Sequence, residues 1–274
     1  MNEENQIRNA ACQALAMGLG ENKAVYLDVG AMGGPTQPTL RYLALHNLLT
    51  YVGIEPQESE CANLRQMFPN GIFLTDAVGN VDADVPLHLT VSNACCSVLE
   101  PNFEVLDNYP IATCFAVTDQ MSVHVTPIAK LVADGRMPSP DFIKCDAQGY
   151  DYEVLEGCGD VLKDILAIEV ECQFKQIYKD QKTFFDIKAL LESYGFILRD
   201  IKHQGAFEYE VVEVNAFFSK RPHECGARLQ TLKLWEFAAE ISSPLSFAQL
   251  KRGNGPSPIF SKVTPEMDRT VMFQ

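Results

Sequence analysis

The stretch Ala24-Val-Tyr-Leu-Asp-Val-Gly30 is a short apolar run that stops in glycine. Too short for a helix of its own and bounded by turn residues, it reads as a parallel strand buried on both faces. Just downstream, Leu40, Leu43, Ala44 and Leu48 recur at helical spacing over residues 36–49, with Pro38 suited to the first turn. Tyr51-Val-Gly-Ile-Glu55 is a second apolar strand, ended by an acid and Pro56. A helix over residues 59–68 and a strand in Gly71-Ile-Phe-Leu-Thr-Asp76 follow. Strand, helix, strand, helix, strand is the rhythm of an open parallel sheet with right-handed crossovers. Upstream, residues 1–20 read as a leading helix with Ala11, Leu15, Ala16 and Leu19 on one side, ended by Gly18 and Gly20.

Residues 80–140 break the rhythm. Leu87-His-Leu-Thr-Val91 and Met121-Ser-Val-His-Val125 alternate as half-exposed strands do, with a turn-rich piece over residues 100–110 between them. They predict a β-rich insertion over the carboxyl edge of the sheet. The parallel pattern resumes with strands at residues 141–146 and 165–172 and helices at 150–162 and 183–194. Residues 196–201 and 210–218 close it as an antiparallel pair. The expected fold is therefore α/β and Rossmann-like: a mostly parallel sheet with a closing antiparallel strand, a β-rich insertion and a C-terminal extension. The main domain spans residues 21–219 and the extension 220–274. Residues 228–241 suit one amphipathic helix whose face of Leu232, Leu234, Trp235, Phe237 and Ala238 docks on its own domain or meets a partner, a second copy included. From residue 242 onward Pro244, Gly253, Gly255, Pro256, Pro258 and Pro265 predict an irregular tail.

The net charge of −14 makes a poor partner for phosphate backbones, and no Lys/Arg cluster with interleaved aromatics offsets it, so nucleic acid is a poor candidate substrate and none is expected as a partner. No run approaches the roughly 18 apolar residues of a membrane span. The polar, mixed-charge start at residues 1–10 lacks a signal-peptide pattern, which places the protein in the cytoplasm. The nine cysteines include no C-x-x-C pair. They read as reduced thiols filling core positions, and no metal site is expected.

Chemistry concentrates where strands end. Asp28-Val-Gly30-Ala-Met-Gly33-Gly34 gives a glycine turn after the first strand, with an acid two residues before Gly30. It lacks the G-x-G-x-x-G of a dinucleotide site. It suits S-adenosylmethionine, which has no pyrophosphate to cradle and carries an ammonium that an acid can hold. The plainer reading is a turn that needs glycine. Glu55 ends the second strand, where dinucleotide folds place an acid against the ribose hydroxyls. Asp76 ends the third strand and could accept from the adenine amine, with the Ala77 N–H donating to a ring nitrogen. Taken singly, each acid could be a solvated strand-end residue, but carboxyl ends face the ligand crevice in open α/β sheets. Asp146-Ala-Gln-Gly149 and Glu169-Val-Glu171 follow, with both glutamates on one strand face and Lys144 a salt-bridge candidate for Glu169. His88, His124 and His203 are candidate bases, although alternation turns His124 away from Val123 and Val125 toward solvent.

These residues resemble the FkbM-type methyltransferases. The resemblance rests on Leu27-Asp-Val-Gly-Ala31, Val52-Gly-Ile-Glu-Pro56, Thr75-Asp-Ala-Val-Gly79 and Ser92-Asn-Ala-Cys-Cys-Ser-Val-Leu-Glu-Pro101. Most specific is Asp141-Phe-Ile-Lys-Cys-Asp-Ala-Gln-Gly-Tyr-Asp-Tyr-Glu-Val-Leu-Glu-Gly157. Ile168-Glu-Val-Glu171 with Tyr178, and Leu191-Glu-Ser-Tyr-Gly-Phe196, also fit. It covers residues 25–218 in order and departs from the usual spelling at Cys145 and Ala147. The resemblance implies an S-adenosylmethionine site, with Asp28, Gly30, Ala31, Gly33, Glu55, Pro56, Asp76 and Ala77 as its residues. It also implies methyl transfer to oxygen, on a sugar or small-molecule acceptor.

A hydroxyl acceptor needs a place for its proton. Asp146 or Glu171 is the expected base, with Gln148 orienting the substrate. A second mechanism would hold Mg²⁺ between Asp146 and Glu171, but no third oxygen ligand is evident. Two other classes compete: a nicotinamide oxidoreductase, which the glycine spacing disfavours, and a non-catalytic protein binding cofactor or a partner on the same fold.

Overall fold

The computed structural model describes residues 3–241. The irregular tail expected from residue 242, and any self-association through it, lie outside the described residues. In chain order, α1 (Glu3–Gly18) leads into β1 (Val25–Val29), α2 (Pro38–Leu45), β2 (Thr50–Ile54), α3 (Glu58–Met67) and β3 (Ile72–Leu74). β4 (Ala77–Val78) follows, and the insertion supplies β5 (Ala83–Thr90), α4 (Phe103–Leu106), β6 (Val117–Thr126) and α5 (Ile128–Ala133). Then come β7 (Phe142–Cys145), α6 (Asp151–Glu156), β8 (Ala167–Gln173), α7 (Phe184–Ser193), β9 (Ile197–His203), β10 (Glu213–Ser219) and α8 (Leu229–Ala238).

Seven strands form one sheet in the order β3-β2-β1-β7-β8-β10-β9. All pairs are parallel except those of β10, which runs antiparallel to β8 and β9. The order reverses between β1 and β7, and a crevice opens at the carboxyl ends beside such a reversal. Both faces of the central strands are covered. Leu27, Val29, Ile143, Cys145, Ile168 and Val170 pack into one core. Tyr26, Tyr51, Phe142, Ala167 and Phe217 pack into the other, under Leu40, Leu43 and Trp235. That double burial is why these strands appear in the sequence as unbroken apolar runs.

Some boundaries differ from the sequence expectation for local reasons. α2 stops at Leu45, four residues early, because Asn47 takes a left-handed conformation (φ 53°). The Asn47 N–H then bonds to the Ala44 carbonyl and the Leu48 N–H to the Leu43 carbonyl, a Schellman cap built on asparagine. The helix expected at 150–162 breaks at Gly157, where a Cβ would stand 1.9 Å from the Gly79 carbonyl oxygen, and resumes as a 3₁₀ turn over Gly159–Lys163. The insertion is an antiparallel β5–β6 hairpin with β4 parallel to β6 on its other side, while its middle is helical turn.

α8 comes from the stretch assigned to the C-terminal extension, and it docks on its own domain. Leu232, Leu234, Trp235 and Ala238 are buried, and the Trp235 ring lies 6.4 Å from that of Phe217 on β10. Glu236 pairs with Arg199 of β9 at 2.7 Å. Trp235→Ala should therefore cost about 3–5 kcal/mol, the usual range for emptying a buried aromatic site. Urea unfolding should show it as a lower midpoint at unchanged slope.

Candidate functional site

The carboxyl ends of β1, β2, β3 and β7 open on a cleft continuous with solvent. Gly30, Glu55, Pro56, Asp76, Ala77, Asp146 and Gln148 line it. The insertion supplies the facing wall through Leu87, Asn93, Cys96 and Val98. Four other residues expected at the site, Asp28, Ala31, Gly33 and Glu171, lie outside this lining.

The floor depends on Gly30. Its φ of 70° lets the Gly30 and Ala31 N–H groups both reach the Ile54 carbonyl, at 3.0 and 3.1 Å. A Cβ there would stand 2.1 Å from the Asp146 carbonyl oxygen, so only glycine lets the turns after β1 and β7 meet. Ala31 is buried in the core, and the Gly33 carbonyl accepts from Arg41 Nη1 at 2.8 Å. Glu55 is also mostly buried. Its Oε1 accepts the Gln57 N–H at 3.0 Å, and burial raises its carboxyl above the usual range.

Beneath the floor runs a row of buried charge. Strand register sets Asp28 beside Lys144, and Lys144 beside Glu169. Lys144 Nζ lies 2.9 Å from Asp146 Oδ2 and 3.7 Å from Asp28 Oδ1. Burial works against the ammonium, but Asp146 and Asp28 outweigh it and hold Lys144 above its ordinary pKa. Lys144 thus pairs with Asp28 and Asp146, whereas Glu169 accepts from Asn215 Nδ2 at 3.2 Å. Asp28 also accepts from the Tyr51 hydroxyl at 3.1 Å. It supports the cleft through Lys144 instead of facing it.

Asp146, Gln148 and Glu171 do converge. Gln148 Nε2 donates to Asp146 Oδ1 at 2.8 Å and to Glu171 Oε2 at 3.0 Å, which uses both amide hydrogens. Gln148 is left-handed (φ 50°), a strained setting held from all sides. Asp151 accepts the N–H groups of Ala147 and Gly149 at 2.9 and 3.1 Å. Ser97 Oγ donates to the Gln148 carbonyl at 2.7 Å, and the Tyr178 hydroxyl lies 3.2 Å from Gln148 Oε1. The two carboxyls diverge. Burial, then the charge of Asp146, pushes Glu171 well above the carboxylate range. Burial also opposes the charge on Asp146, but Lys144 and the hydrogen bonds from Lys144 and Gln148 override it and lower its pKa.

Asp76 meets a partner that no motif announced: Arg136 Nη1 and Nη2 reach its two oxygens at 2.7 Å each. The histidines stay away from the cleft lining. His124 is exposed, with Nδ1 2.8 Å from Asp84 and Nε2 3.1 Å from Asp82. Sequence reasoning missed Arg136, and it held Ser97 and Asp151 only as members of longer motifs. Tyr178 and Lys144 were visible only as a motif member and as a pairing partner.

Strand order and the crevice at the strands' carboxyl ends define a Rossmann-like α/β fold. Residues 28–198 match the family model of the methyltransferase FkbM domain. The chain belongs to the FkbM methyltransferase family, whose cofactor is S-adenosylmethionine. Three solved structures are similar at low identity. Human methyltransferase-like protein 13, in complex with SAH, is 14% identical over 95% of this chain and 96% of its own, with a TM-score of 0.39. A TehB-like SAM-dependent methyltransferase from Corynebacterium glutamicum is 14% identical over 79% and 95%, TM-score 0.35. The 1,6-didemethyltoxoflavin-N1-methyltransferase of Burkholderia thailandensis, with 1,6-didemethyltoxoflavin and S-adenosylhomocysteine bound, is 15% identical over 78% of each chain, TM-score 0.37. No curated protein matches the chain. Among the described residues no helix is long and apolar enough to cross a membrane, and no group of three or more His, Cys, Asp or Glu could hold a metal ion.

The buried acids give stability a distinctive pH dependence. Burial pushes Asp28 up to about 6, and Asp151 and Glu169 up to about 7. The unfolded chain releases these protons near pH 4, so between about pH 4 and 7 the folded state binds more protons and stability falls as pH rises. Exposed pairs such as Glu100 with Lys179 act in the opposite sense but weakly. Urea unfolding should show higher stability at pH 5 than at pH 7.5, with the difference reduced in Glu169→Gln. A stability that climbs across this window would contradict the assignment.

Proposed function

We propose that this chain transfers the methyl group of S-adenosylmethionine to a hydroxyl oxygen of a sugar or small natural product. The observation that carries the reading is the charge of the cleft. Its lining holds three acids, Glu55, Asp76 and Asp146, and, among the described residues, no lysine, arginine or histidine. Such a set suits a ligand bearing sulfonium and ammonium charge and repels the pyrophosphate of a dinucleotide. Glu55 would take the ribose hydroxyls and Asp76 the adenine amine, with Gly30 and Pro56 giving the close backbone approach. We assign the protein to the cytoplasm, where its nine free cysteines would persist. Its net charge of −14 favours a small acceptor over nucleic acid.

The bound cofactor supplies an electrophilic methyl group with its own leaving group. The chain supplies alignment and a proton acceptor. Asp146 faces the cleft and is held in its charged form by Lys144, so it takes the acceptor proton. A carboxylate suffices, because a hydroxyl oxygen becomes strongly acidic as it gains a methyl group. Gln148 has both amide hydrogens bound to Asp146 and Glu171, so it orients these carboxyls in preference to the acceptor. Lys144 already provides the positive charge beside Asp146, and the reaction we propose is metal-independent.

Calorimetry with S-adenosylmethionine and S-adenosylhomocysteine tests the cofactor assignment. We expect micromolar affinity for both and at least a ~10-fold loss in Glu55→Ala, since hydrogen bonds to a charged group are each worth about 1.5–3 kcal/mol. With labelled cofactor and a panel of sugars and hydroxylated natural products, Asp146→Asn should lower turnover by about 10²–10⁴-fold while cofactor still binds, and EDTA should leave turnover unchanged. Binding of neither ligand would move the non-catalytic alternative to first place.

A further inference from the structure

Asp76 is a wall shared by two spaces. It lines the cleft, and it also lines a shallow hollow behind, with Pro56, Thr75, Val123, His124 and Arg136. Arg136 belongs to the hollow and not to the cleft lining. It follows α5 in a turn where Gly135 is left-handed (φ 69°), and the Arg136 N–H bonds to the Leu131 carbonyl at 3.0 Å. Its fork then reaches both Asp76 oxygens at 2.7 Å.

Residues 75 and 76 fall between β3 and β4, outside any strand ladder. Little in the local backbone fixes the direction of the Asp76 side chain. Among the described residues, the hydrogen bonds its carboxylate accepts come from Arg136. A bidentate guanidinium fixes the plane of a carboxylate as well as its position. Each oxygen has two lone pairs, and the fork occupies one on each. The remaining acceptor capacity is held in a fixed orientation, and it is acceptor-only.

We propose that Arg136 is the positioning residue that makes Asp76 selective for adenine, by fixing its carboxylate to accept from an exocyclic amine. The proposal rests on the reading of Asp76 as the adenine contact. An adenine presents a donor there, whereas the deaminated base presents a carbonyl oxygen, which a carboxylate repels. The pair also has a structural side: the Arg136 side chain is 43% exposed but Asp76 only 12%, and a bidentate fork on a mostly buried carboxylate contributes to stability. A purely structural role would weaken both ligands alike, whereas positioning changes their ratio.

The test is calorimetric binding of S-adenosylhomocysteine and its deaminated analogue, S-inosylhomocysteine, to the wild-type chain and to Arg136→Met, Arg136→Lys and Asp76→Ala, with melting temperatures recorded alongside. The wild type should prefer the adenine form. Arg136→Met should lose about tenfold in affinity for the adenine form, the worth of roughly one charge-assisted hydrogen bond, and little for the inosine form, so the preference collapses. Arg136→Lys should recover only part of it, because an ammonium lacks the fork. A lower melting temperature is expected for Arg136→Met than for Arg136→Lys, and the ligand ratio, read well below both, separates lost stability from lost selectivity. An unchanged adenine-to-inosine ratio in Arg136→Met, or an equal loss for both ligands, would overturn the proposal. If Asp76→Ala abolishes the preference while Arg136→Met keeps it, Asp76 reads the base unaided and only this inference fails. Absence of binding by the wild type refutes the cofactor reading itself and this inference with it.

Discussion

A single ammonium group makes the acid-rich centre of this sheet tenable. Lys144 is 9% exposed, 2.9 Å from Asp146 Oδ2 and 3.7 Å from Asp28 Oδ1, with Glu169 beside it in register. Burying charge costs several kcal/mol per ion, and mutual attraction repays this only with close pairing. For stability alone, an apolar row would serve as well. One end of the charged row reaches the cleft: Asp146 both pairs with Lys144 and lines it. Asp28, though buried and outside the lining, belongs to the same electrostatic unit.

From Lys144 the constraint passes into the turn after β7. Gln148 occupies a left-handed conformation that costs of order 1–3 kcal/mol for a residue other than glycine. The surroundings over-determine it. Asp151 binds the N–H groups on either side, and Ser97 of the insertion holds its carbonyl. Tyr178, from the loop after β8, lies within hydrogen-bond distance of both Gln148 Oε1 and the Cys95 carbonyl of the insertion. The insertion wall and the turn carrying Asp146 are therefore tied together. A shift of that wall would move Gln148, and with it the two carboxyls it bridges.

The fold was legible because its strands are buried on both faces and bounded by turn residues: Val25–Val29, Thr50–Ile54 and Phe142–Cys145 each lie within an apolar run. Helix ends were harder, since the left-handed Asn47 that stops α2 sits between Leu45 and Leu48, and the apolar helical spacing runs on past it. At the site, strand-end position identified Gly30, Glu55, Pro56, Asp76, Ala77, Asp146 and Gln148, all of which line the cleft. Period-2 alternation also put Glu169 and Glu171 on one face, and both are buried. What alternation cannot give is the lean of a long side chain along its strand. Lys144 stands opposite Glu169 yet pairs with Asp146, two residues further along its own chain. Arg136 was invisible for another reason. It reaches Asp76 from a loop 60 residues away, and no local pattern encodes that approach.

Asp146 and Glu171 show how environment divides one chemical type into two roles. They share the Gln148 amide, but Asp146 has the ammonium of Lys144 at 2.9 Å and an opening to the cleft, while Glu171 is buried beside the charge of Asp146. Their pKa values are driven apart, the arrangement that separates a charged group from a proton-holding one. Lys144 offsets the charge of Asp146. Arg136 likewise offsets Asp76 from outside the cleft. Of the three acids in the lining, Glu55 alone lacks a cationic partner within salt-bridge distance among the described residues. The uncompensated charge of the cleft thus gathers at the end of β2, where burial makes it most demanding of hydrogen-bond donors from a ligand.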